Sequence, residues 1–138
     1  MTHRILLVED DENVGPLVQA RLGQLGYEVV LKADLPDIKI LDDYDFSAVI
    51  SDFQLPTSDG FEVIRFMRDK RPNIPAMMMS GHGDWAAEYC ESHGIKGVSY
   101  LAKPFKAEQL LDAVNALVLA DVMWPILVED EVSSRDLW

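Results

Sequence analysis

Several polar residues stand where short apolar runs end, and their types suit phosphoryl transfer. Asp52 follows Ala48-Val-Ile-Ser51, Glu9 and Asp10 follow Ile5-Leu-Leu-Val8, Ser80 follows Ala76-Met-Met-Met79, and Lys103 follows Val98-Ser-Tyr-Leu-Ala102. A carboxylate is already ionised at neutral pH, so Asp52 could attack phosphorus without a base. Lys103 would neutralise an equatorial oxygen of the transferred group, and the Ser80 hydroxyl would donate to another. Glu9, Asp10 and Asp52 crowd like charges, each pair costing about 4 kcal/mol at ~4 Å and an effective dielectric of ~20. Such a cluster must take up protons or a cation, and carboxylates beside a phosphate suit Mg²⁺.

The elements that must position these groups follow from periodicity. Ile5–Val8, Glu28–Leu31, Ala48–Ile50, Ala76–Met79 and Val98–Leu101 are short and nearly continuous in apolar character, as strands buried on both faces of a parallel sheet are. Helical spacing places Val14, Leu17, Val18, Arg21, Leu22 and Leu25 on one helix over 12–25, stopped by Gly26. Further helices are predicted over 59–70, about 84–93 and from Pro104 onward through Leu110, Leu111, Val114, Leu117 and Val118. The segment 34–43 suits a two-turn helix with Pro36 in its first turn. The alternation βαβαβαβαβα predicts an α/β, doubly wound parallel sheet whose ligand site lies beyond the carboxyl ends of the strands, where the polar residues above fall. Asp59-Gly60 reads as a turn into the third helix, with Gly60 supplying permissive backbone. Met77-Met-Met79 is a strand and not a metal box, because successive side chains point to opposite faces.

Composition narrows the function classes. The chain has 138 residues, 49% hydrophobic and 26% charged, with a net charge of −12. That is one soluble domain of ordinary composition, and its negative field disfavours nucleic acid and anionic lipid. The single cysteine, Cys90, excludes an internal disulfide and reads as a small buried side chain. With neither a targeting segment nor an apolar run long enough to span a bilayer, the expectation is a cytoplasmic protein away from membranes.

As a set, Ile5-Leu-Leu-Val-Glu-Asp-Asp-Glu12, Ser51-Asp-Phe-Gln-Leu-Pro-Thr-Ser-Asp-Gly60, Met79-Ser-Gly81 and Lys103-Pro-Phe105 resemble the receiver domain of two-component response regulators over residues 3–120. The resemblance, of the CheY-like stand-alone type, implies a five-stranded flavodoxin-like sheet of order 2-1-3-4-5. It also implies that Asp52 accepts phosphate from a phosphohistidine on a sensor histidine kinase or phosphotransfer protein. On it, Glu9, Asp10, Asp52 and the main-chain carbonyl of Gln54 would hold Mg²⁺, and Lys103 would contact the phosphoryl group. Ser80 would be the switch hydroxyl and Tyr100 the aromatic switch, while Gln54 and His82 would tune how long the phosphoryl group survives. Glu9 stands where an aspartate is commoner, and Ser80 where a threonine is.

The expected function is a single-domain, phosphorylatable signalling protein that acts through contact with a downstream protein, without direct DNA binding. A phosphate sink or shuttle and a receiver fold that is never phosphorylated are the alternatives. A haloacid-dehalogenase-type phosphohydrolase would need a second aspartate two after the nucleophile, where Gln54 stands. A flavodoxin-like flavin site would need a hydroxyl- and glycine-rich first loop, and this one is acidic. Bland readings accompany each residue: His82 as a solvated loop histidine, Tyr100 as strand packing, Ser80 as a turn residue, and Glu9-Asp10 as helix-dipole charge. Residues 1–120 are taken as the receiver domain and 121–138 as a tail of unknown role. Its apolar Val122-Met-Trp-Pro-Ile-Leu-Val128 suggests an added strand or, with the last helix, a homodimer contact.

Overall fold

The computed structural model describes residues 3–81 and 83–120, the side chains of 83–86 excepted. Strands β1 (Arg4–Val8), β2 (Glu28–Lys32), β3 (Ala48–Asp52), β4 (Ala76–Ser80) and β5 (Val98–Ala102) form one parallel sheet in the order β2-β1-β3-β4-β5. Helices α1 (Val14–Gln24), α2 (Leu35–Lys39), α3 (Gly60–Lys70) and α4 (Gly83–Ser92) make the crossovers that parallel strands require, and α5 covers 107–120. The expected architecture and strand order are those observed.

Strand alternation divides the core between the two faces of the sheet. Ile5, Leu7, Ala48, Ile50, Met77 and Met79 pack with Val18 and Leu22 of α1 and with Leu110, Val114 and Leu117 of α5. Leu6, Val8, Val49, Ala76 and Met78 pack with Phe61, Ile64 and Met67 of α3 and with Ile38 and Cys90. Met78 thus faces away from Met77 and Met79, as a strand period of two requires. The middle strands are buried almost throughout, which is why they read as continuous apolar runs.

Three local expectations are corrected. The buried stripe of α1 is narrower than its apolar pattern, since Leu17 is 58% exposed and Leu25 47%. Only Gly15, Val18 and Leu22 are buried there, because α1 lies chiefly over the edge strand β2 and meets the sheet along one line. Helix α2 is shorter than 34–43: the Leu41 N–H bonds to the Ile38 carbonyl at 3.2 Å, tightening the chain out of helix. Gly60 has no left-handed backbone. Its need for a missing side chain is steric, because a Cβ there would lie 2.7 Å from the Asp52 carbonyl oxygen. That close approach seats α3 directly against the end of β3.

Candidate functional site

The sheet brings the carboxyl ends of β1, β3, β4 and β5 to one edge, and the polar residues gather there. Glu9 is one residue past β1, Asp52 is the last residue of β3, Ser80 the last of β4, and Lys103 the first beyond β5. Glu9 is 3% exposed and Ser80 is buried, whereas Asp10 is open to solvent and Asp52 lies between. Lys103 Nζ is 3.0 Å from Glu9 Oε1 and 3.2 Å from Asp52 Oδ1, so one ammonium bridges the acids at the ends of β1 and β3. The Phe53 N–H also donates to Asp52 Oδ1, at 3.0 Å. The Lys103 N–H donates to the Ser80 carbonyl at 2.9 Å, tying the loops after β4 and β5 together, and the Lys103–Pro104 peptide is cis.

Two hollows meet at Asp52. A cleft of about 360 Å³ runs between Glu9, Asp10, Asp52, Gln54 and Lys103. A second, of about 220 Å³, lies between Asp52, Ser80, Gly81 and Lys103. Asp52, Gln54 and Lys103 form the wall common to both, so a group attached to Asp52 would have the acids on one side and the Ser80 loop on the other. A larger groove of about 730 Å³, touching Ile74, Pro75 and Leu117, lies away from these carboxylates.

Carboxylate oxygens of Glu9, Asp10 and Asp52 lie within 4.8 Å of one another. Burial pushes the Glu9 carboxyl up to about 7, with the hydrogen bond from Lys103 opposing and the charge of Asp52 adding to the rise. Burial alone would depress the Lys103 ammonium, but its bond to Glu9 and the charge of Asp52 outweigh that and hold its pKa above the usual value. Glu9 Oε2 is buried and has no hydrogen-bond partner among the described residues. An unpaired buried carboxylate oxygen beside two further acids fits a hard divalent cation such as Mg²⁺.

The neighbouring turns free these acids from structural duty. At the start of α1, Asp11 Oδ1 accepts from the N–H of the N-cap residue Asn13 at 2.8 Å and from that of Val14 at 3.0 Å. Those two bonds hold the Asp11 carboxyl below its ordinary pKa. Helix-end charge at α1 is therefore supplied by Asp11, and Glu9 and Asp10 are not needed for it. Across the site, Asp59 caps α3 through the Glu62 N–H at 2.9 Å. The Gly60 N–H bonds to the Phe53 carbonyl at 2.9 Å, and Gln54 bridges to Asp59, so the loop after Asp52 is a small closed hairpin.

Tyr100 sits on β5 with its ring against the core that α3 and α4 cover. Burial leads the causes that raise the pKa of its hydroxyl and of the neighbouring Cys90 thiol. His82 lies outside the described residues, as do 121–138 and most of the homodimer contact expected of them. The sequence reading missed one polar group altogether. Asp34, just past β2, is 7% exposed and reaches across to the loop after Asp52.

The response regulator receiver domain family matches residues 5–115. The chain belongs to that family. Receiver domains are the phosphoacceptor modules of two-component response regulators, they bind Mg²⁺ at an acidic pocket, and the family implies a histidine-kinase partner. The receiver is 27% identical over 124 residues to the probable transcriptional regulator ycf29 of Porphyra purpurea, covering 88% of this chain and 59% of the relative. It is 35% identical over 120 residues to the response regulator protein FleR of Pseudomonas aeruginosa, covering 83% of this chain and 24% of the relative. The chain therefore spans between about a quarter and about three fifths of the length of these curated relatives. A response regulator receiver protein from Sinorhizobium medicae superposes with a TM-score of 0.73 at 28% identity, over 87% of this chain and 97% of that one. Among the described residues no helix is long and apolar enough to cross a membrane.

Proposed function

We propose that Asp52 is the phosphoacceptor of this receiver. The observation that supports it most directly is the placement of Asp52 between the Lys103 ammonium, 3.2 Å away, and the carboxylates of Glu9 and Asp10. A carboxylate oxygen of Asp52 would form the new bond to phosphorus while the bond from phosphorus to the donor histidine nitrogen breaks and its electron pair returns to the imidazole. Glu9, Asp10, Asp52 and the Gln54 carbonyl would hold Mg²⁺, which supplies positive charge against the phosphoryl oxygens. Lys103 exchanges its contact with Asp52 Oδ1 for one with a phosphoryl oxygen, and the Ser80 hydroxyl donates from the second hollow. The drawing-in of Ser80, and of Tyr100 with it, reshapes the adjoining face for a protein partner.

The donor is a sensor histidine kinase or phosphotransfer protein, and the readout is protein contact by residues 1–120 in the cytoplasm. The net charge of −12 supports contact with protein over contact with DNA. Gln54 and His82 set the lifetime of the phosphoryl group. Incubation with acetyl phosphate and Mg²⁺ should add one phosphoryl group, read by intact mass. Asp52→Asn should lose it entirely, as should chelation of the metal. Label that persists in Asp52→Asn overturns the assignment, and a wild-type chain that never labels favours a receiver fold that works unphosphorylated.

A further inference from the structure

We propose that Asp34, a residue outside the reacting groups, is a positioning residue for the acceptor loop: its carboxylate clamps the tip of the hairpin whose base carries Gln54. This rests on the phosphoacceptor reading of that loop. Asp34 Oδ2 accepts from the Thr57 N–H at 2.8 Å and from the Thr57 hydroxyl at 2.7 Å. Its Oδ1 accepts from the Ser58 hydroxyl at 2.5 Å and from the Leu35 N–H at 2.8 Å.

A helix cap alone does not account for this arrangement. Asp34 begins α2, a helix of five residues, yet three of its four donors come from residues 23 or 24 positions away. The carboxylate is buried although burial opposes its charge, and the four donors more than offset that cost, leaving its pKa below the ordinary value. Charge-assisted bonds of this kind are the stronger class.

The hairpin carries that restraint to the site. The Leu55 N–H bonds to the Ser58 carbonyl at 3.2 Å, and one step closer to Asp52 the bridge joins Gln54 to Asp59. Thr57 and Ser58 are therefore the outer end of a short closed ladder, and Gln54, which borders the acidic cleft, is its inner end. Pinning the outer end to the β2–α2 corner limits how far the Gln54 carbonyl can swing. Removing a partner that orients a metal ligand without touching the metal typically costs about 10- to 100-fold in affinity.

The test uses the full chain with Asp34→Ala and, separately, the pair Thr57→Val with Ser58→Ala, which deletes two hydroxyl donors and keeps the Asp34 carboxylate. Labelling by acetyl phosphate is followed across Mg²⁺ concentrations, with calorimetric Mg²⁺ binding and amide hydrogen exchange alongside. Asp34→Ala should raise the half-saturating Mg²⁺ concentration about tenfold and leave the labelling rate at saturating Mg²⁺ within about twofold. The hydroxyl pair should shift half-saturation the same way, by about threefold. Exchange should quicken at the Gln54 amide as well as at Thr57. An unchanged half-saturation in the folded variants overturns the proposal, as does quickened exchange confined to Thr57. Should Asp34→Ala not fold, the hydroxyl pair decides by the same criteria. Should the wild-type chain fail to label, the phosphoacceptor reading falls, and calorimetry with amide exchange still decides whether Asp34 positions the loop.

Discussion

Glu9 and Asp34 are both buried carboxylates just beyond the ends of neighbouring strands, 3% and 7% exposed, and their circumstances are opposite. For each, burial is the leading influence on the proton, and it acts in the direction of neutralising the acid. Asp34 answers it with four donors spread over both oxygens and ends below its ordinary pKa. Glu9 has Lys103 on one oxygen, no partner for the other among the described residues, and Asp52 adding to the strain, and it ends at about 7. Depth of burial therefore does not say what a carboxylate is for. The number of donors that the chain brings to it does: a saturated acid ties parts together, and an unsaturated one retains capacity for a ligand from solution.

The contrast breaks most visibly at the metal. Glu9→Ala removes a carboxylate placed to hold the ion itself, so it should weaken Mg²⁺ binding in calorimetry by more than the roughly tenfold expected of Asp34→Ala, while the protein stays folded. Equal binding by the variant would mean that Glu9 is as satisfied as Asp34. Next in size, Asp34→Ala should lower the unfolding free energy by about 2 kcal/mol in a urea titration, because it removes the acceptor that the Leu35, Thr57 and Ser58 donors share.

Protons sharpen the comparison further. A Glu9 carboxyl at about 7 must lose its proton when the cation binds. Apparent Mg²⁺ affinity should therefore rise about tenfold from about pH 6 to about pH 8, and the rise should flatten in Glu9→Gln. The smallest effect belongs to Asp34→Asn. The folded pKa of Asp34 is depressed, so its contribution to stability is fully present above the unfolded value of about 3.9 and is lost as pH falls through the lower folded value. The stability gap between wild type and Asp34→Asn should stay level near neutrality and close in acid. A gap that widens in acid reverses the sign assigned to Asp34.

Much of this site is legible in the amino-acid order, because short strands buried on both faces leave an unmistakable run of apolar residues and the polar groups stand at their ends. Asp10, Asp52, Ser80 and Lys103 are visible that way, and so is Glu9. Asp34 is not, since an aspartate before a Leu-Pro pair reads as an ordinary helix start, and nothing local announces donors 23 residues on. The breadth of the α1 stripe misleads for a related reason: periodicity counts apolar residues, and the edge position of β2 decides how many of them find cover. Gly60 announces itself only as a flexible residue, although its need is the 2.7 Å approach to Asp52.

The sequence by itself determines the alternation of strands and helices and the sheet they form. It also determines which chemical groups stand at strand ends, because both are consequences of local periodicity. The tertiary structure alone decides how those groups are shared. It places Lys103 between Glu9 and Asp52, leaves one oxygen of Glu9 unpaired, and brings Thr57 and Ser58 to Asp34. Each of those outcomes depends on distances between residues far apart in the chain, and a buried carboxylate's partner and use are set by the donors and charges that the fold brings within hydrogen-bonding reach of it.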